Sequence, residues 1–484
     1  MRRFFILLLT TAALTGCTTV GPDYKRPELA GVSGRWITPL PPGEVDQRWW
    51  QRLDDPQLND LMDAALATNL DIRETQARLR EARANRDAAV GRSLPEVRAM
   101  GSATEQRVSE NGQLPVGNIP GFDPRYSLYD VGFDASWELD FWGANRRSVE
   151  AAGARAEQAS ARVDDVRLQV IAEVVRSYAD LRTAQQREQL LRDTAVARAE
   201  TARLYGLRFR AGESSRLEAE QAQQRADAAA AAVQEPRTAT AAAIYRLGLL
   251  TGRAPEAWFP ALSGSKPLPA TPEIVAAGVR SELLQRRPDI RAAEAELAAA
   301  TADIGVATAD LYPRFSLLGS IGRQARTPGD LLESASTRFS IGPSFSWPIF
   351  SFGRVRAQIR AADASADAAM ARYEKAVLGA LASSESAANR YANALLTLRD
   401  RAAAVGRAQA VADLAELRFR RGEDDRIQAL EARAALLAEQ LQLEAVRAEV
   451  VGSFVALHKE LGGGLTQSSG LGELPSSHRS GLTE

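Results

Sequence analysis

The chain has 484 residues, a formal net charge of −1, two histidines and one cysteine. Near-neutral charge gives no footprint for nucleic acid, one cysteine cannot form a disulfide within the chain, and so few soft ligands leave almost no material for a metal site. Neither a phosphate-cradling glycine loop followed by Lys-Ser/Thr nor a nucleophile elbow occurs. The chain therefore does not read as an enzyme, and no catalytic, cofactor-binding or metal residue is assigned.

Met1-Arg2-Arg3 is a short positive region, and the apolar run Phe4 to Leu14 is too short to span a bilayer as a helix, so residues 1–16 read as a secretory signal peptide. Leu14-Thr15-Gly16-Cys17 resembles the bacterial lipobox. This predicts that Cys17 is lipidated and becomes the first mature residue. By analogy with bacterial sorting rules, Thr18 behind it favours the outer membrane. Residues 17–56 read as a proline-rich tether from Val20-Gly21-Pro22-Asp23-Tyr24-Lys25-Arg26-Pro27 to an aromatic anchor at Trp49-Trp50.

Residues 57–280 form a first repeat. Leu58, Leu61, Leu66, Leu70 and Leu79 have helical spacing and predict a helix from Gln57 to about Val90. A β-hairpin over about 94–140 follows, and its second strand alternates strictly. Tyr129, Val131, Phe133, Ala135, Trp137 and Leu139 lie on one side, with Asp130, Gly132, Asp134, Ser136, Glu138 and Asp140 on the other. A long helix over 144–210 carries a seam of Val163, Val166, Val170, Val174, Tyr178 and Leu181. Its tip, 211–215, leads into a return helix to about Leu250, in which Pro236 predicts a kink or break. Proline and glycine crowd Thr251 to Val279, an irregular segment expected about halfway along the body.

The same order recurs in residues 281–464: helix, β-hairpin over about 314–350, long helix 354–420, tip 421–425 and return helix. Leu207-Arg208-Phe209-Arg210-Ala211-Gly212-Glu213 returns as Leu417-Arg418-Phe419-Arg420-Arg421-Gly422-Glu423, an offset of 210. Because that offset is even, the apolar parity of the strands is kept, with Phe339, Ile341, Phe345, Trp347 and Ile349 on one side. Residues 465–484 read as a flexible tail.

Strands of about ten residues with one apolar face span a membrane when tilted in a barrel. Four strands cannot close alone, and an open edge in lipid leaves backbone groups unpaired at several kcal/mol each, so the chain must associate as two, three or four copies. The helix over 144–210 would extend roughly 100 Å at 1.5 Å per residue.

The lipobox, Gly21-Pro22-Asp23-Tyr24-Lys25-Arg26-Pro27, Trp49-Trp50 followed by Asp55-Pro56-Gln57-Leu58, and the doubled hairpin together resemble the outer-membrane efflux lipoproteins of the TolC, OprM and NodT family. The resemblance implies an α+β membrane protein: a homotrimer with a 12-stranded outer-membrane β-barrel, four strands per chain, continuous with a long periplasmic α-helical barrel of coiled-coil hairpins. It implies a passive exit duct for small molecules with a periplasmic adaptor (membrane fusion protein) and an inner-membrane transporter as partners, anchored in outer-membrane lipid through acylated Cys17. The expected adaptor-docking tips are Gly212, Glu213, Ser214, Ser215 and Gly422. A periplasmic gate is expected at Glu423, Asp424, Asp425 and Arg426, with the choice between Asp424 and Asp425 open and helix capping as the competing role for this turn. Asp130, Asp134 and Glu138 are expected to line the barrel lumen and favour cations mildly. An exit duct for protein secretion and a lipid-anchored envelope coiled coil without a channel are the alternatives.

Overall fold

The structure, a computed structural model, describes residues 19–27, 35–41, 43–109 and 123–464. The signal peptide, Cys17 and the 465–484 tail lie outside the described residues. The chain is α+β and rich in helix, and its contacts group it into two units. One holds residues 19–27 with Arg78–Ala159 and Ala292–Glu374; the other holds the described residues between 35 and 77 with Ser160–Arg291 and 375–464.

The first unit contains the whole sheet. Strands β1 (Glu96–Arg107), β2 (Arg125–Leu139), β3 (Arg314–Ala325) and β4 (Thr337–Ser346) are antiparallel neighbours in the order β1-β2-β3-β4. Their register aligns the apolar positions into rows: Ala99 opposes Phe133, Phe133 opposes Ile321, and Ile321 opposes Phe339. A one-residue slip would send each of these to the other face. The rows are uncovered, with Phe133 57%, Phe339 77%, Ile341 74% and Phe345 69% exposed. Gly132 and Gly322 face each other across β2 and β3, where a Cβ on Gly132 would stand 2.5 Å from the Ile321 carbonyl oxygen. Among the described residues β1 and β4 are edges, and β4 carries Pro343, which has no ladder donor to offer.

Helices carry the rest: α1 (Pro56–Thr68), α2 (Leu70–Arg92), α3 (Ala144–Arg210), α4 (Arg216–Ala232), α5 (Gln234–Leu250), α6 (Pro288–Ala309), α7 (Arg354–Arg420) and α8 (Arg426–Glu460). The single helix predicted from Gln57 to Val90 is instead two, and a turn of helix at Leu283–Arg286 is likewise separated from α6. Both breaks have local causes. Asn69 leaves the helical region (φ −58°, ψ 134°), and its Oδ1 accepts from the backbone N–H groups of Asp71 and Ile72 at 2.9 and 3.0 Å, capping α2. Arg287, 218 residues on, precedes Pro288, whose ring disfavours helical backbone before it. Each also binds the end of a return helix: Asn69 Nδ2 donates to Leu250 O at 2.9 Å, and Arg287 Nη1 donates to Glu460 O at 3.0 Å. Leu250 and Glu460 are 210 residues apart, so one tie is built twice with different side chains.

The first return helix breaks at Val233, three residues before Pro236, which cannot donate to the Ala232 carbonyl; α8 runs unbroken through Val446. The second unit's core collects the α3 seam, where Val174, Tyr178 and Leu181 are at most 1% exposed while Val166 is half-buried. Trp49 is fully buried, stacked on His458 at 5.0 Å and edge-on to Phe454 at 5.6 Å, and its indole N–H donates to Gly463 O at 3.3 Å. Asp55 caps α1 and accepts from the Tyr178 hydroxyl at 2.5 Å, so this acid serves structure.

Candidate functional site

The two tips are built alike. At the end of α3, Gly212 takes φ +77° and Glu213 N–H donates to Arg208 O at 2.8 Å; at the end of α7, Gly422 takes φ +75° and Glu423 N–H donates to Arg418 O at 2.9 Å. That six-to-one bond with a left-handed glycine closes a helix by satisfying a carbonyl the next turn would have used. Beyond the first glycine, Ser215 caps α4 in a reciprocal box with Glu218, and the Ser214 hydroxyl donates to Tyr205 O at 3.3 Å. Both serines are thus engaged within their own tip.

Beyond the second glycine the acids divide. Asp424 pairs with Arg418 at 3.1 Å, and Glu423 lies 3.9 Å from the same guanidinium. Asp425 caps α8 by accepting from Gln428 N–H at 3.0 Å and also accepts from Arg208 Nη2 at 2.9 Å, joining the second tip to the first. Partial burial works to raise the Asp425 carboxyl, but the Gln428 N–H and the Arg208 guanidinium outweigh it and hold the group below the ordinary carboxylate range. Arg426 pairs with Glu416 at 2.6 Å and stacks over Phe419 at 5.1 Å. One turn further along α8, Glu431 takes both oxygens to Arg198 of α3 at 2.7 and 2.8 Å. The charges at which the gate is expected are therefore paired within the chain.

On the sheet, Asp130, Asp134 and Glu138 share the polar face with Ser316, Ser320, Gln324 and Ser340. Asp130 is not a free anion. Arg338 Nε and Nη2 donate to its two oxygens at 2.9 and 2.6 Å, and Gln324 Nε2 donates at 2.8 Å. Sequence reading missed this because the two residues lie on strands 208 residues apart, and only the register brings them together.

Cys17 lies outside the described residues, but the segment just after it is fixed. Val20 N–H donates to Trp142 O at 3.0 Å, and buried Arg147 donates to Val20 O and Gly21 O and pairs with Asp23 at 2.6 Å. Arg26 grips Glu294 with two bonds of 2.5 and 2.6 Å. Gly21, at φ +87°, lies so close to α6 that a Cβ would stand 2.4 Å from the Cα of Gly305. The Gly-Pro-Asp-Tyr-Lys-Arg-Pro segment is thus a clasp on the start of α3 and along α6 from Glu294 to Gly305, beside the ends of the strands. Among the described residues no three His, Cys, Asp or Glu side chains gather as a metal site.

A family model described as outer membrane efflux protein matches residues 61–253 and 279–463. The chain is 30% identical over 480 residues to the pyoverdine export outer membrane protein OpmQ of Pseudomonas putida, covering 96% of this chain and 97% of that one. It is 28% identical over 486 residues to the multidrug resistance outer membrane protein MdtP of Escherichia coli, covering 95% of each. Among solved structures, the outer-membrane channel OprN superposes with a TM-score of 0.82 at 36% identity over 92% of this chain and 99% of that one.

Proposed function

The chain belongs to the outer membrane efflux protein family, and from that premise we propose that it is the outer-membrane channel of an efflux pump, a passive exit duct for small molecules. The observation that carries this reading is the sheet. Its apolar rows are exposed, its other face is polar, and among the described residues both edges are open, so it suits a wall between hydrocarbon and water completed by sister chains. Three copies closing twelve strands is the assembly that the family resemblance implies. Relatives named for pyoverdine export and multidrug resistance support small-molecule cargo.

A duct of this kind has no pocket to drive transport, so a periplasmic adaptor and an inner-membrane transporter supply and select the cargo, with docking at Gly212, Glu213, Ser214, Ser215 and Gly422. The tip around Glu423, Asp424, Asp425 and Arg426 is the gate, and its closed form is held by Arg208 on Asp425. Lipid on Cys17 fits the same scheme. Only Thr18 separates it from Thr19, a reach of at most about 7 Å at roughly 3.5 Å per residue, and the clasp holds Val20 beside Trp142, where β2 gives way to α3.

The test is purification of the mature protein with its envelope partners and recording in planar bilayers. Heat-modifiable oligomers, stepwise conductance and a co-purifying inner-membrane drug transporter are expected. A water-soluble monomer without conductance overturns the duct, and a protein-secretion transporter as the partner overturns the cargo.

A further inference from the structure

One ion pair on the polar face of the sheet joins both hairpins. Arg338 on β4 stands opposite Gly322 on β3, and Gly322 stands opposite Gly132 on β2. With no side chain at either glycine, the guanidinium crosses β3 and grips Asp130 on β2 through two bonds of 2.9 and 2.6 Å, while Ser320 Oγ accepts from its remaining nitrogen at 3.3 Å. Such a fork on a carboxylate fixes both charge and geometry.

We propose that Arg338 sets the ion preference of the lumen by cancelling the charge of Asp130. The pair's side chains are 35% and 18% exposed, and ion pairs in contact with water contribute little to stability. Charge on the low-dielectric wall of a water-filled passage acts differently, because such walls focus the field along the path of the ions. Elsewhere on this face Glu96 is cancelled by Arg98 at 2.7 Å. Asp134 and Glu138 are then the two β2 acids at which, among the described residues, no ion pair forms, and releasing Asp130 would make three.

This inference rests on the sheet being the wall of a water-filled pore, and the experiment separates the two. Reversal potentials are recorded in a KCl gradient with the dilute side at about 0.1 M, where the Debye length is about 10 Å. Arg338→Gln raises the K+ over Cl− permeability ratio by about 1.5-fold, in proportion to the added wall charge. Asp130→Asn lowers it by freeing the guanidinium, Arg338→Lys keeps the wild-type ratio, and exchanging the two by Asp130→Arg with Arg338→Asp restores it. Channels that conduct with one unchanged ratio in Arg338→Gln and Asp130→Asn overturn the role of Arg338 and leave the duct standing. Wild-type protein that inserts but does not conduct overturns both. A purely structural pair would lower the yield of channels in every variant, Arg338→Lys included, and leave the ratio where it was.

Discussion

His458 makes the helical unit lose stability in acid. Its ring is 1% exposed, stacked on Trp49 and edge-on to Phe454 at 4.6 Å, and neither ring nitrogen has a hydrogen-bond partner. Burial first, and the Arg52 charge second, push its pKa down to about 3. In the unfolded chain an imidazole titrates near about 6.5. A group depressed on folding gives its full stability above the unfolded value, and that stability drains away as pH falls toward the folded one. Between about pH 6.5 and pH 5 the unfolded chain takes up a proton that the folded chain refuses. At about 1.4 kcal/mol per pH unit, the loss at pH 5 is about 2 kcal/mol. Urea unfolding of the detergent-solubilised protein at the two pH values, followed by tryptophan emission, measures it. His458→Phe keeps an aromatic ring beside Trp49 and removes the titration, so its stability should vary less between the two pH values by that amount. The sequence has one other histidine, His478, outside the described residues and common to both proteins. If His458→Phe loses as much stability in acid as the wild type, the reasoning fails.

Arg287→Ala leaves Asp289 and Glu460 without their shared, largely buried cation and should cost about 3 kcal/mol. Asn69→Ala, which removes a cap and a buried bond, should cost about 1–3 kcal/mol, and urea midpoints rank the two. Leu70→Pro gives the first break the chemistry of the second; Asn69 already has backbone suited to precede proline, so a gain of about 0.4–1 kcal/mol is expected, and a lowered midpoint would refute the local account of the break. Gly21→Val drives a side chain into Gly305 and should speed trypsin cleavage after Lys25, read by mass spectrometry on the intact protein. At the tip, Asp425→Ala removes a cap worth about 0.5–2 kcal/mol together with the bond to Arg208. It should raise open probability in bilayers more than Asp424→Ala, and equal effects would count against Arg208–Asp425 as the closing contact.

What could be read from sequence was whatever depends on local periodicity or composition. Strict alternation from Tyr129 to Leu139 assigns each side chain to a face without knowledge of the neighbouring strand, and Pro236 announces a broken helix by itself. The break at Asn69 was missed because leucine spacing carries straight across it. Asparagine is a weak helix former and a good cap, but the bond that ties its amide to Leu250 O reaches a carbonyl 181 residues away. Arg287-Pro288 did carry a local signal, the proline that bars helical backbone before it, and its counterpart at Asn69 carried only a capping residue. The pairing of Asp130 with Arg338, and of Asp425 with Arg208, depends on register and on helix packing, which no window of sequence contains. The Gly-Pro-Asp-Tyr-Lys-Arg-Pro segment was legible as a motif but not as a clasp, since its meaning lies in what Arg147, Glu294 and Gly305 present to it.

The open sides of the sheet have a consequence for life before assembly. A bare strand does not check the identity of what binds it, and any extended segment in the envelope could add to it. β1 answers with charge, carrying Glu96, Arg98, Glu105 and Arg107, and β4 answers with Pro343, which leaves a gap in the row of donors that a stray peptide would use. Overproduction therefore sets sister recruitment in competition with fibre-like polymerisation, and removing Pro343 tilts that race toward the polymer without touching a residue of the passage.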